Sequence, residues 1–184
     1  MRGGIKSRWE DAYRGGGEGN QVNEAASYGE KVLPSVEEAA KVAERLRRAG
    51  KVIVFTNGCF DLLHVGHIRC LEGARALGDY LFVGINSDRA VREIKGEGQP
   101  VTPERERAEV LSALEAVDFV VIFDGKTADE PILKIKPHIH AKGTDYTVEN
   151  DPERKSVLSY GGRIAIVGDA KGHATREILK KIRR

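Results

Sequence analysis

A doubly wound α/β fold, a Rossmann-like sheet of five parallel strands with helices on both faces, is predicted by three observations in this 184-residue chain. Short, continuously apolar runs alternate with longer segments whose apolar residues repeat at helical spacing. The runs lack the in–out alternation of a half-exposed strand, as strands buried on both faces do. Glycine, proline or a capping residue marks most of the junctions. Strand–helix alternation of this kind builds a parallel sheet through right-handed crossovers.

The elements follow in order. Ser35-Val36-Glu37-Glu38 has the form of a capping box behind Pro34, and Val36, Ala39, Ala43 and Leu46 continue a helix that Gly50 closes. Residues 51–56 read as the first strand. A helix from near His64 carries Ile68, Leu71, Ala74 and Leu77 to a stop at Gly78, and residues 80–85 form the second strand. A short helix runs from Ser87 to about Ile94, and residues 96–100 are a loop. Thr102-Pro103 starts the next helix with proline at its first position, its inner face being Val110, Leu111, Leu114 and Val117. Residues 119–123 are the third strand, Thr127 opens a helix to Ile135, and 139–142 are the fourth strand. A polar loop reaches Asp151-Pro152. A helix then ends at Gly161-Gly162, residues 164–167 are the last strand, and a basic helix finishes the chain.

Residues 1–34 differ. Glycines 3, 4, 15, 16, 17, 19 and 29 fall there and the apolar residues keep no period, so this segment is expected to be a flexible extension preceding a domain over 35–184. Trp9 and Tyr13, four apart, offer a docking edge for a partner subunit; a disordered arm is the plainer reading.

Composition narrows the function. Thirty basic and 28 acidic side chains leave a net charge of +2, which argues against electrostatic capture of nucleic acid or of an anionic membrane. Two cysteines, Cys59 and Cys70, make neither a disulfide framework nor a four-ligand zinc site, and a reducing cytoplasmic compartment is expected. No apolar run approaches a membrane span or the core of a signal peptide.

Ligands of such sheets bind beyond the strand C-termini, where strand order reverses. The first strand delivers Thr56-Asn57-Gly58-Cys59-Phe60-Asp61-Leu62-Leu63-His64-Val65-Gly66-His67 to that edge. Gly58 permits a tight turn and close backbone approach. His64 and His67 are three apart at a helix start, so their rings can share one face beside unpaired amides and a positive helix end. That combination suits a polyphosphate. An isolated His-x-Gly-His could equally be local packing; set in Gly-x-Phe-Asp-x-x-His-x-Gly-His after a buried strand it is far more specific.

That segment resembles the signature of the cytidylyltransferase-like nucleotidyltransferases, which join a nucleoside triphosphate to a phosphorylated small molecule and release pyrophosphate. Further on, Asn86-Ser87-Asp88, Lys95-Gly96, Pro100-Val101-Thr102-Pro103, Arg107, 113–118 and Lys142-Gly143-Thr144-Asp145-Tyr146 recur in order. Together they are similar to the heptose 1-phosphate adenylyltransferase half of ADP-heptose synthases, over about residues 51–182. The kinase half of those synthases has no counterpart in this sequence, so a stand-alone transferase is expected.

The resemblance implies in-line attack of a sugar 1-phosphate on the α-phosphate of ATP, with Mg²⁺ carried on the triphosphate. His64 and His67 would hold the phosphates, and Lys95 would close over them as a mobile cation or be an ordinary solvated lysine. Thr56, Asn57, Gly58, Cys59, Phe60 and Gly66 would line the nucleotide, with Thr175 and Arg176 completing it from the last helix. There Ala174 and Arg176 depart from a Ser/Thr-rich turn. Asp61, Arg107, Lys142 and Asp145 are the implied substrate contacts. Asp61 could instead order the backbone, and Arg107 could instead be a solvated helix charge. A homodimer is a family-level expectation.

Other readings stay open. A cytidylyltransferase acting on glycerol 3-phosphate or a related alcohol phosphate keeps the chemistry; Cys59 and the Lys142–Tyr146 segment favour the adenylyl form. A non-catalytic nucleotide-binding protein would keep the fold, and the intact histidines argue against it. Gly125-Lys126-Thr127 resembles the end of a P-loop, but Val120 stands where that pattern needs glycine. His138 and His140 share one side of a strand and could pair on a metal or simply pack together. No metal ligand set is assigned. The family would place an acidic and an apolar residue at those two positions.

Overall fold

The computed structural model describes residues 29–169. Trp9, Tyr13 and the expected last helix with Thr175 and Arg176 lie outside the described residues. The strands are β1 (Val32–Leu33), β2 (Ile53–Gly58), β3 (Tyr80–Asn86), β4 (Phe119–Phe123), β5 (Ile139–Gly143) and β6 (Arg163–Val167). The helices are α1 (Val36–Arg48), α2 (Val65–Arg75), α3 (Asp88–Lys95), α4 (Glu104–Ser112), α5 (Asp129–Ile135) and α6 (Arg154–Ser159). All strands pair in parallel, in the order β1-β4-β3-β2-β5-β6.

The sheet thus has six strands, one more than periodicity predicts. The sixth is β1, from the segment assigned to the extension: Val32 pairs with Val120 and Leu33 with Val121. Leu33 is buried, and the Lys31 ammonium donates to the carbonyls of Leu114 and Val117 at 3.2 and 2.8 Å. The ordered body therefore includes residues 29–34, ahead of the expected boundary at 35. A two-residue strand has no period to detect; what orders it is the open edge of β4.

Alternation along the strands sorts the core into two layers. Ile53, Phe55, Tyr80, Phe82, Phe119 and Val121 pack against α1, α5 and α6 on one face. Val54, Leu81, Val83, Ile85, Val120 and Ala141 pack against α2 and α4 on the other. Helix starts follow the sequence within a residue or two. Ser35 Oγ accepts the Glu38 amide, Ser87 Oγ accepts the Ala90 amide, and Pro103 is the cap of α4 rather than its first residue.

Gly84 shows how tightly the first layer is filled. A Cβ there would lie 2.6 Å from Phe55 Cζ and 3.2 Å from Phe123 Cε1. Because β3 is central and both rings are buried, Gly84→Ala is expected to destabilise the protein by about 1–3 kcal/mol. Urea unfolding would measure this, and an unchanged midpoint would refute it.

Strand order reverses between β2 and β5. Their ladder registers Val54 with Ile139 and Phe55 with His140, and no further. Both strands run on for three residues, still paired on their outer sides to β3 and β6. The two C-terminal ends therefore part, and the crevice between them is where the sequence motif arrives.

Candidate active site

Leaving β2, the chain turns through Gly58, Cys59 and Phe60 before reaching α2. Phe60 takes a left-handed conformation (φ 46°), unusual for a residue with a side chain. Its ring lies so close to Gly58 that a Cβ there would sit 3.2 Å from Phe60 Cε2, which accounts for the glycine. The same ring packs on His67 with centroids 5.3 Å apart.

His64 is the cap residue of α2 and His67 lies in its first turn. Their rings stack, with centroids 3.9 Å apart and planes 21° from parallel, and both are half-buried at the crevice. The first turn of α2 contains no acidic residue, and no side chain caps it. Donors and a positive helix end are thus gathered without a resident anion.

Burial, the neighbouring His64 and the Lys95 ammonium together press the His67 imidazole down to about 4. The ring is therefore neutral near pH 7. Its Nδ1 is buried with no hydrogen-bond partner among the described residues, so the tautomer with the proton on Nε2 is favoured. Nε2–H is the donor His67 can offer a phosphate. An incoming polyanion would raise its affinity for a second proton.

Lys95 ends α3 exposed, near enough to act electrostatically on both His67 and Cys59. It stands beside Gly96 and Gly98, which both take positive φ. Burial raises the Cys59 thiol above its ordinary value, so no thiolate nucleophile stands here. Thr56 is buried and Asn57 half-buried below the turn.

Several implied substrate contacts are placed otherwise. Arg107 is buried, with a side chain 0 % exposed. It donates to the carbonyls of Thr102, Cys59 and Asn86 and to the Asp88 carboxylate. It is not a solvated charge; it ties the glycine turn to β3 and α4. Asp61 is buried, and its carboxylate takes the amides of Val101 and Thr102 at 2.9 Å. It holds the loop that follows Pro100.

Lys142 also turns inward. Its ammonium meets Glu153 Oε2 at 3.1 Å and Asn57 Oδ1 at 3.3 Å, and lies 4.5 Å from the centre of the Tyr146 ring. In this structure the ammonium is held by a buried carboxylate rather than presented to solvent. Asp145 is exposed in the loop after β5, close enough to α2 to raise the Cys70 thiol further.

His138 and His140 do not act as a pair. His138 Nδ1 accepts the Ile53 amide at 2.9 Å, whereas His140 is sealed between Asp151 and Asn57. Nothing in the sequence marks Asp151 and Glu153 as partners of His140, because they sit in a polar loop without a motif. Their only signal was an Asp-Pro-Glu helix start eleven and thirteen residues past His140. His140, Asp151 and Glu153 have ligand-type atoms within 4.8 Å of one another. The Lys142 ammonium already supplies the positive charge there, so the cluster does not suit a metal ion.

Stacked imidazoles over an open helix start, at the strand reversal of a parallel sheet, define a nucleotidyltransferase. No helix among the described residues is long and apolar enough to cross a membrane. Residues 55–177 match the cytidylyltransferase-like family, and the chain belongs to it. It is 47% identical over 163 residues to the bifunctional protein HldE of Pelobacter propionicus, covering 89% of this chain and 33% of that protein. The HldE protein of Methylococcus capsulatus is 50% identical over 139 residues, or 75% of this chain and 29% of its own. The chain thus spans about a third of the length of the curated relatives it matches. Among solved structures, a lipopolysaccharide core biosynthesis protein from Thermoplasma volcanium aligns with TM-score 0.58 and 26% identity, over 66% of this chain and all of that one. Pantothenate synthetase from Thermus thermophilus, at 13% identity and TM-score 0.53, shares the fold.

Proposed function

We propose that the protein transfers AMP from ATP to a sugar 1-phosphate, D-glycero-D-manno-heptose 1-phosphate, giving ADP-heptose and pyrophosphate. The observation that carries the nucleotidyl transfer is the His64–His67 stack at the start of α2. The choice of sugar and nucleotide is supported by the likeness to HldE proteins and by the Lys142–Tyr146 segment. A phosphate oxygen of the sugar attacks the α-phosphorus in line, and the bond to the bridging oxygen breaks, with pyrophosphate leaving with its electron pair. No protein nucleophile is needed; positioning and charge stabilisation do the catalysis.

In this reading, the amides of α2 and the Nε2–H of His67 take up charge that grows on the triphosphate. Lys95 closes over it from the glycine loop. Mg²⁺ would come with ATP, held by phosphate oxygens and water, and would supply charge neutralisation there, the Asp61 carboxylate being already engaged by two amides.

The test is pyrophosphate release across a panel of nucleotides and sugar or alcohol phosphates. ATP with the heptose 1-phosphate is expected to give the highest kcat/KM. Equal or better turnover of CTP with glycerol 3-phosphate would replace the assignment by a cytidylyltransferase. Tight nucleotide binding with no turnover of any pair would make the protein a binding module.

A further inference from the structure

Past the last rung of the β2–β5 ladder, Phe55 with His140, side chains join the two strands in place of backbone. Two residues further on, Asn57 stands level with Lys142, and Lys142 Nζ donates to Asn57 Oδ1 at 3.3 Å. The same oxygen lies 2.9 Å from His140 Nε2. The amide nitrogen of Asn57 turns the other way, to Glu153, a side chain 1 % exposed directly before α6.

Glu153 uses both carboxylate oxygens. Oε1 accepts Asn57 Nδ2 at 3.3 Å and the Ala128 amide at 2.9 Å, and Oε2 accepts the Lys142 ammonium at 3.1 Å. Ala128 is the cap residue of α5, the helix that follows β4. One side chain therefore ties together the end of β2, the end of β5 and the start of α5. Its own backbone is fixed on both sides. The Glu153 amide donates to Asp151 Oδ1 at 3.1 Å, and its carbonyl accepts the Val157 amide at 3.0 Å inside α6. These contacts also orient the Asn57 amide, since turned over it would set its NH₂ group against the Lys142 ammonium.

The location gives Glu153 a task. Asn57 is the last side chain of β2 before Gly58, and the turn from Gly58 to Phe60 leads to His64 and His67. We propose that Glu153 is a positioning residue of the nucleotide site: through Asn57 it holds the end of β2, and with it the glycine turn, at a set place beside β5. Only its consequence for ATP rests on the nucleotidyltransferase reading.

In the intact protein, the Asn57 side-chain amide protons and the Ala128 amide proton are expected to show a mutual nuclear Overhauser contact, because both groups donate to Glu153 Oε1. A folded wild type without it overturns the proposal. Glu153→Gln keeps the reach of the side chain but offers one accepting oxygen in place of two, so it cannot hold Asn57 and Lys142 at once. It is expected to move the Cys59 and Phe60 amide resonances. It is also expected to raise the KM for ATP about tenfold with kcat within about twofold, the scale of one lost hydrogen bond. A folded Glu153→Gln protein with unmoved turn resonances overturns the proposal, whether or not the protein binds ATP. Asn57→Ala is expected to raise the KM as far, and adding Glu153→Gln to it to change the KM by less than about twofold. Effects that multiply would mean that Glu153 does not act through Asn57, and would overturn the proposal. Moved resonances in a protein that binds no nucleotide refute only the proposed function. If Glu153→Gln does not fold, the same readouts on Asn57→Ala decide, and an unmoved turn there overturns the proposal.

Discussion

Replacing His67 by alanine is expected to lower kcat by about 10²- to 10³-fold, the usual loss when one preorganised donor to developing charge is removed. Stability is expected to hold, with Tm moving by no more than about 2 °C. The ring is half-buried and its Nδ1 has no described partner, so its loss strands no polar group. A His67→Ala protein that keeps wild-type kcat, or one that simply unfolds, would remove the ring from the reaction. The wild-type ring also carries a pH signature. It is held near 4, whereas an unfolded histidine titrates near 6.5, so the unfolded chain binds that proton first. Stability from this site is therefore complete above about pH 6.5 and falls as pH drops toward 4. A ring NMR titration with an ordinary midpoint would contradict it.

Arg107→Met is expected to cost about 3–5 kcal/mol of stability, and the effect on activity should follow the loss of folded protein. Methionine fills the space but leaves the Asp88 carboxylate and the carbonyls of Cys59, Thr102 and Asn86 without their donor. Lysine should not rescue it, since one ammonium cannot span four acceptors that a planar guanidinium reaches together. Urea unfolding monitored alongside turnover separates the cases. A stable Arg107→Met protein with a raised KM for the sugar phosphate would restore the substrate role that the sequence suggested.

These two residues also show what a sequence can disclose. The parallel sheet, its two faces and the His64–His67 pair were legible because apolar periodicity and a strand–turn–helix motif are local signals. Arg107 and Lys142 sit in recognisable motifs, yet their side chains point inward, and only the fold reveals which carbonyls and carboxylates claim them. Asp61 had both an ordering and a substrate reading; three amide contacts bind it to the backbone. The strand at Val32–Leu33 was invisible because its order comes from the edge of β4. His140 looked like half of a histidine pair, whereas its partner Asp151 lies eleven residues on, in a loop without a pattern.

The early end of the β2–β5 ladder bears on how such a chain can diversify. Backbone pairing resists substitution, but past Phe55 and His140 the gap is bridged by side chains alone. Recoding positions 140, 142, 151 and 153 would reset the width of the cleft while every remaining rung of the ladder stayed intact. An engineer seeking altered nucleotide choice would start with a library at those four codons, leaving the histidine motif untouched.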